Sequence, residues 1–177
     1  TGIIFGRCME IKHPSHPPHS PVSIGPGRPS GVVIPLPTSK VATQGATQVR
    51  VRYCECDPMG VAHHASYIPW LEIGRTELLR SAGVSYAHLE SAGTFLVIVK
   101  LDITYRRPAR YDDLVEIRTL WSGGGRVKIE HTYEVVVVEP GAGGPGDYVA
   151  ALATTTLGCV DAEGRIRELP EWLAFKQ

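Results

Sequence analysis

Residues Gln48 to Tyr53 alternate polar and apolar, the two-residue period of a strand with one buried face. That period returns over Thr94–Tyr105, Leu114–Trp121, Val127–Val138 and Tyr148–Val160. In the third of these, Val127, Ile129, His131, Tyr133, Val135 and Val137 share one face. Between the first strand and the others the spacing changes. Trp70, Leu71, Ile73, Gly74, Leu78 and Leu79 recur at helical intervals, Ser66 stands where an N-cap belongs, and Gly83 supplies a stop. Pro69 falls in the first turn, where its missing amide does no harm. The pattern predicts a helix from about Tyr67, roughly 24 Å long and apolar around much of its girth. A shorter helical piece follows around Tyr86 to Ser91, while Gly123-Gly124-Gly125, Pro140 to Gly146 and Asp161-Ala162-Glu163-Gly164 read as turns, the last leading into a short final strand.

No helix between the later strands is long enough to cross over a sheet, so the strands should run antiparallel. The implied class is α+β: a long central helix wrapped by a curved antiparallel sheet of five or six strands. A glycine inside such a helix costs about 1 kcal/mol relative to alanine. Gly74 is therefore expected to admit a strand or a partner helix to close approach. Residues 1–45 have another texture. From Lys12 to Pro37 they are dense in Pro, Ser, Gly and His without any period, and they predict a disordered or loosely packed arm ahead of one domain over 46–177. His13, His16 and His19 recur every third residue, but an extended chain offers them no frame for a metal.

The chain has 177 residues, 43% of them apolar, which suffices for one core. Lys plus Arg and Asp plus Glu stand at 18 each, so no net charge draws it to nucleic acid, and an anionic ligand must be met by local cations. Apolar runs stop well short of the roughly 18 residues a membrane span needs. Four cysteines are too few and too scattered for a disulfide framework, and the first residues lack a secretory pattern. The expectation is a cytoplasmic protein.

The densest chemistry lies ahead of the long helix. In Val51-Arg52-Tyr53-Cys54-Glu55-Cys56-Asp57-Pro58-Met59-Gly60-Val61-Ala62-His63-His64-Ala65-Ser66-Tyr67 an Asp is followed by Gly at the third place, His at the seventh and Tyr at the tenth, then by Trp70-Leu71-Glu72 and Arg75-Thr76-Glu77. This resembles the signature of the 4-hydroxybenzoyl-CoA thioesterase and YbgC-type acyl-CoA thioesterase family, and the likeness continues through Tyr105-Arg106-Arg107-Pro108-Ala109-Arg110-Tyr111-Asp112-Asp113 to Leu169-Pro170-Glu171. The resemblance implies a hotdog fold and active sites at the interface of a homodimer or tetramer. It implies no metal or other cofactor, coenzyme A entering only as part of the substrate.

Thioester hydrolysis needs an attacking oxygen and a place for negative charge on the carbonyl oxygen. Asp57 can supply the first, either by direct attack or by taking a proton from water. Free amides at the helix start, near His64 to Tyr67, can supply the second. Asp57 before Pro58 also reads as a common turn starter. The family motif gives His64 the task of orienting the loop and offering its amide, although a helix-start hydrogen bond would suit its side chain equally. His63 stands where the family commonly has Tyr, which points to altered pocket shape or polarity. Gly60, His63, Ser66 and Tyr67 are expected to line the substrate site. Arg107 and Arg110, with Arg106 beside them, and Arg126 with Lys128 are candidate contacts for the coenzyme A phosphates, or plain solvated charges. Glu72 is the runner-up carboxylate or a partner of Arg75.

Cys54 and Cys56 with His63 and His64 lack the spacing of a zinc site, and no base accompanies Ser66 to make it a nucleophile. A hotdog hydratase would need an Asn two places after Asp57, where Met59 stands. The expected activity is hydrolysis of an acyl-CoA thioester or, alternatively, an acyl-carrier-protein thioester. The rival from another class is a non-catalytic acyl-CoA-binding sensor or scaffold.

Overall fold

Alternating sequence forms strands and the helical stretch fills the gap between them. The computed structural model describes residues 41–174; His13, His16, His19 and nearly all of the expected arm lie outside that range. Strand β1 (Gln44–Arg50) leads through 3-10 turns at Tyr53–Glu55 and His64–Ser66 into helix α1 (Tyr67–Arg80) and helix α2 (Tyr86–Ser91). Four long strands follow: β2 (Phe95–Tyr105), β3 (Leu114–Gly124), β4 (Lys128–Glu139) and β5 (Tyr148–Val160). The sheet order is β1-β3-β4-β5-β2, every pair antiparallel. This is the α+β hotdog plan, with one long helix against a five-stranded sheet.

The helix lies against β1 and β3. Its first half buries Trp70 and Leu71, at 0% and 1% exposure, against Val115, Ile117, Tyr133, Val135, Ala151 and Ala153. Burying each such large apolar side chain contributes about 1.5–3 kcal/mol. Its second half, with Leu78 and Leu79, joins Val84, Leu89, Trp121, Ile129, Cys159 and Leu173 in a second cluster. Gly74 lies between the two, where an added Cβ would sit 2.5 Å from Thr119 Oγ1 and 2.8 Å from Ile117 Cγ2. Strand β3 is thus the element whose close approach the glycine admits.

Several local expectations are corrected. The alternation through Tyr53 does not continue the first strand, which ends at Arg50. Val51 still exchanges backbone bonds with Asp112 and Asp113, but the chain then coils because the Glu55 carboxylate takes the Arg52 amide at 2.7 Å, leaving Tyr53 82% exposed. Ser66 does not cap α1: it is already helical, at φ −67 and ψ −23, and its hydroxyl donates to Glu55 O instead. Gly123 and Gly124 belong to β3, so the β3–β4 turn runs over Gly125, Arg126 and Val127. The expected last strand is reduced to a bridge between Val160 and Ile166.

Candidate active site

Residues 56–62 form a small hairpin whose geometry follows from Asp-Pro-Met-Gly. The Gly60 amide donates to Asp57 O at 2.9 Å, with Pro58 second in the turn, where its fixed φ belongs. Gly60 takes φ +75, the left-handed conformation that ends a three-residue hairpin loop. The Asp57 amide then donates to Val61 O at 2.9 Å, and Cys56 pairs with Ala62. Asp57 Oδ1 accepts the Met59 amide at 2.9 Å. One carboxylate oxygen thus holds the turn, while Oδ2 has no hydrogen-bond partner among the described residues. The turn-starting and chemical readings of Asp57 are compatible, one for each oxygen.

Glu55, which sequence reasoning missed, closes this loop onto the helix. It is buried, at 7% exposure, and its carboxylate accepts the Arg52 amide (2.7 Å), the Arg52 guanidinium (2.8 Å) and the Trp70 indole N–H (3.0 Å). Burial pushes its carboxyl up, but those hydrogen bonds outweigh burial and hold it below the ordinary glutamate value. Its carbonyl accepts the His63 amide and the Ser66 hydroxyl, both at 2.8 Å. Local pattern gave no sign of this, because the partners stand three residues before and fifteen after, at no recognisable period.

Among the described residues, the expectation of several free amides at the helix start narrows to one. The Ala65 amide donates to His63 Nδ1 (3.2 Å) and the Ser66 amide to His63 O (2.8 Å). The Tyr67 amide donates to Ala65 O. His64 opens the turn, the position without an acceptor inside a helix. The imidazoles of His63 and His64 are exposed, with ring centroids 4.0 Å apart. Tyr105, at the end of β2, donates its hydroxyl to His64 O at 2.9 Å.

Tyr67, expected to face substrate, lies in the core at 3% exposure beside Trp70 and Tyr105, its hydroxyl accepting the Ala109 amide at 3.4 Å. Arg110 bridges to Val61 through its backbone, which sets its exposed side chain beside the Asp57 hairpin. Arg107 lies 3.9 Å over the Tyr148 ring, its amide held by Ala150 O. Arg126 is elsewhere: it sits in the β3–β4 turn, paired with Glu168, about 33 Å along β3 from the end that meets the Asp57 loop. Glu72 pairs with Arg75 at 2.9 Å. Among the described residues, no group of three or more His, Cys, Asp or Glu is placed to hold a metal ion, and no helix is long and apolar enough to cross a membrane.

Comparison with known proteins gives the family and the fold. Residues 51–176 match the thioesterase-like superfamily. The chain is 30% identical over 116 residues to the protein named "Putative acyl-CoA thioesterase YneP" of Bacillus subtilis, covering 66% of this chain and 79% of that one. It is 42% identical over 71 residues to the acyl-CoA thioester hydrolase YbgC of Escherichia coli O157:H7, covering 40% of this chain and 53% of that one. Among solved structures, a probable thioesterase from Bartonella henselae superposes with a TM-score of 0.64 at 27% identity, covering 72% of this chain and 99% of that chain.

Proposed function

The chain belongs to the thioesterase-like superfamily, and from that premise we propose that it hydrolyses acyl-CoA thioesters, with Asp57 as the reacting carboxylate. The observation that carries the reading is the pairing, on one closed loop, of a carboxylate oxygen without a partner and an amide at an open helix start. The His64 N–H donates to the thioester carbonyl oxygen and stabilises the charge that develops there. Asp57 Oδ2 then either attacks the carbonyl carbon, giving a mixed anhydride that water cleaves, or takes a proton from the water that attacks. In both routes the thiolate of coenzyme A leaves and is protonated. Arg110, beside the hairpin, is the cation best placed for the coenzyme A phosphates. A coenzyme A thioester as substrate also favours the cytoplasm.

The working unit is a dimer. Strand β2 ends the sheet order, and it exposes Val97, Ile98, Val99 and Leu101 along eleven residues. Such an edge is a template for another strand. Tyr105 ties this edge to the His64 carbonyl, so a second copy along β2 lies against the loop. Val99→Arg should therefore yield a monomer by size exclusion and lose thiol release together with assembly; an active monomer contradicts the shared site.

Thiol release from a panel of acyl-CoAs and acyl-carrier-protein thioesters tests the activity itself. Asp57→Asn should lower turnover about a thousandfold while circular dichroism stays that of wild type. Wild-type turnover in that variant would end the Asp57 assignment, and binding without thiol release by the unaltered chain would favour the sensor.

A further inference from the structure

We propose that the His63 side chain is a positioning residue for the His64 amide, acting through the hydrogen bond that its Nδ1 accepts from Ala65. The inference rests on the reaction proposed above. The direction of an amide N–H is set by the peptide planes on either side of it. The plane carrying the His64 N–H has its carbonyl, His63 O, fixed by the Ser66 amide at 2.8 Å. The next plane is fixed at both ends by side chains: Tyr105 donates to His64 O at 2.9 Å, and His63 Nδ1 takes the Ala65 N–H at 3.2 Å. His63, at φ −57 and ψ 140, is thus the cap of this 3-10 turn, in the place where an Asn or Ser side chain usually acts. An exposed imidazole used as a cap touches no substrate atom in this role.

The cap has a chemical condition. To accept from Ala65, Nδ1 must carry a lone pair, so the ring is neutral with its proton on Nε2. An imidazolium donates from both nitrogens, and two N–H groups would then face each other. Acidification should therefore release the Ala65 amide and loosen the plane next to the His64 N–H. The titratable and charged groups around His63 are the His64 imidazole beside it, Glu55 and Asp57 in the same loop, Tyr105 from β2, and Arg110 from the β2–β3 connection paired with Val61. His64 loses the neighbouring ring in either His63 variant, so the comparison of His63→Ala with His63→Asn, which share that loss, isolates the cap.

The test compares wild type, His63→Ala and His63→Asn in turnover of an acyl-CoA that wild type hydrolyses, over roughly pH 5 to 8. His63→Ala should lose about tenfold in kcat with KM within about twofold, since a loosened donor misplaces the transition state more than the substrate. His63→Asn should recover most of that loss, because its side-chain oxygen caps Ala65, and its acid-side fall in kcat should lie at lower pH than in wild type. Equal kcat in His63→Ala, a loss confined to KM, or an unmoved acid limb in His63→Asn would each overturn the proposal. Asp57→Asn separates the two claims: if it abolishes turnover while His63→Ala leaves kcat alone, only the His63 role falls.

Discussion

Helix α1 meets two different polar environments along its length. At its start, the buried carboxylate of Glu55 has three donors and its carbonyl two more, so the loop carrying Asp57 and His64 is fully tied. Two turns further on, Arg75 and His131 are also buried, at 8% and 6% exposure, yet Arg75 Nε and His131 Nδ1 find no hydrogen-bond partner among the described residues. A satisfied buried network fixes geometry, whereas an unsatisfied one mainly costs stability. Substitutions at the first end should therefore change turnover and stability together, and those at the second mainly stability.

The largest expected effect that sharpens this contrast is on stability against pH. Burial first, and the neighbouring Arg75 charge second, push the His131 imidazole down to about 4. An unfolded His takes a proton near pH 6.5. Between those two values the unfolded chain binds more protons, so stability falls as pH drops from 6.5 toward 4, by about 3 kcal/mol in all, and is flat above. Melting temperature measured across this range should show that slope in wild type and lose most of it in His131→Gln. An unchanged slope would mean that other groups set the acid sensitivity.

Next in size is Gly74, at the boundary between the two environments. Gly74→Ala places a methyl within 2.8 Å of Ile117 Cγ2, on a β-branched side chain that is fully buried, and should destabilise by about 1–3 kcal/mol. Chemical denaturation gives the number directly, and kcat per folded molecule should stay close to wild type. A stabilised variant would show that β3 can yield, and that the glycine is a tolerated defect.

Glu55→Gln tests the opposite end. A Gln cannot accept from Arg52 and Trp70 together without turning an NH2 toward a donor, so the loop should loosen. The expected loss is about tenfold in kcat with KM little changed, and a stability loss of about 1–2 kcal/mol. If instead melting temperature falls and kcat holds, Glu55 supports the fold without tuning the site.

These two ends also differ in how legible they were. Helix α1, α2 and the four long strands followed from periodicity, because each buries one face against one core and the spacing records it. The turn at Asp57 was readable too, since Asp, Pro and Gly each impose a turn torsion or bond over four residues, although its closure into a hairpin was not. Glu55 and Tyr105 were not, because a buried carboxylate and a distant hydroxyl are recruited by tertiary contact, and residues fifteen or forty apart leave no period. His131 was legible as a core position, but its burial beside Arg75 depends on α1 and β4 meeting, which no local pattern records.

The smallest effect separates the two arginine sets, both exposed and both charged. Arg110 follows a residue sealed against the hairpin, where the Ala62 amide donates to Ala109 O at 2.8 Å, so its charge stands where a ligand approaching Asp57 would pass. Arg126 faces Glu168 at the far end of β3, and an exposed pair of that kind contributes about 0–1 kcal/mol. Arg110→Ala should raise KM for an acyl-CoA a few-fold, with kcat unchanged and the increase shrinking at high salt as the phosphate attraction is screened. Arg126→Ala should leave KM where it is within one chain's own site. A larger effect from Arg126 than from Arg110 would mean that coenzyme A runs toward the β3–β4 turn, and, since about 33 Å of strand lies between, that this turn is presented by the second copy rather than by the chain that supplies Asp57.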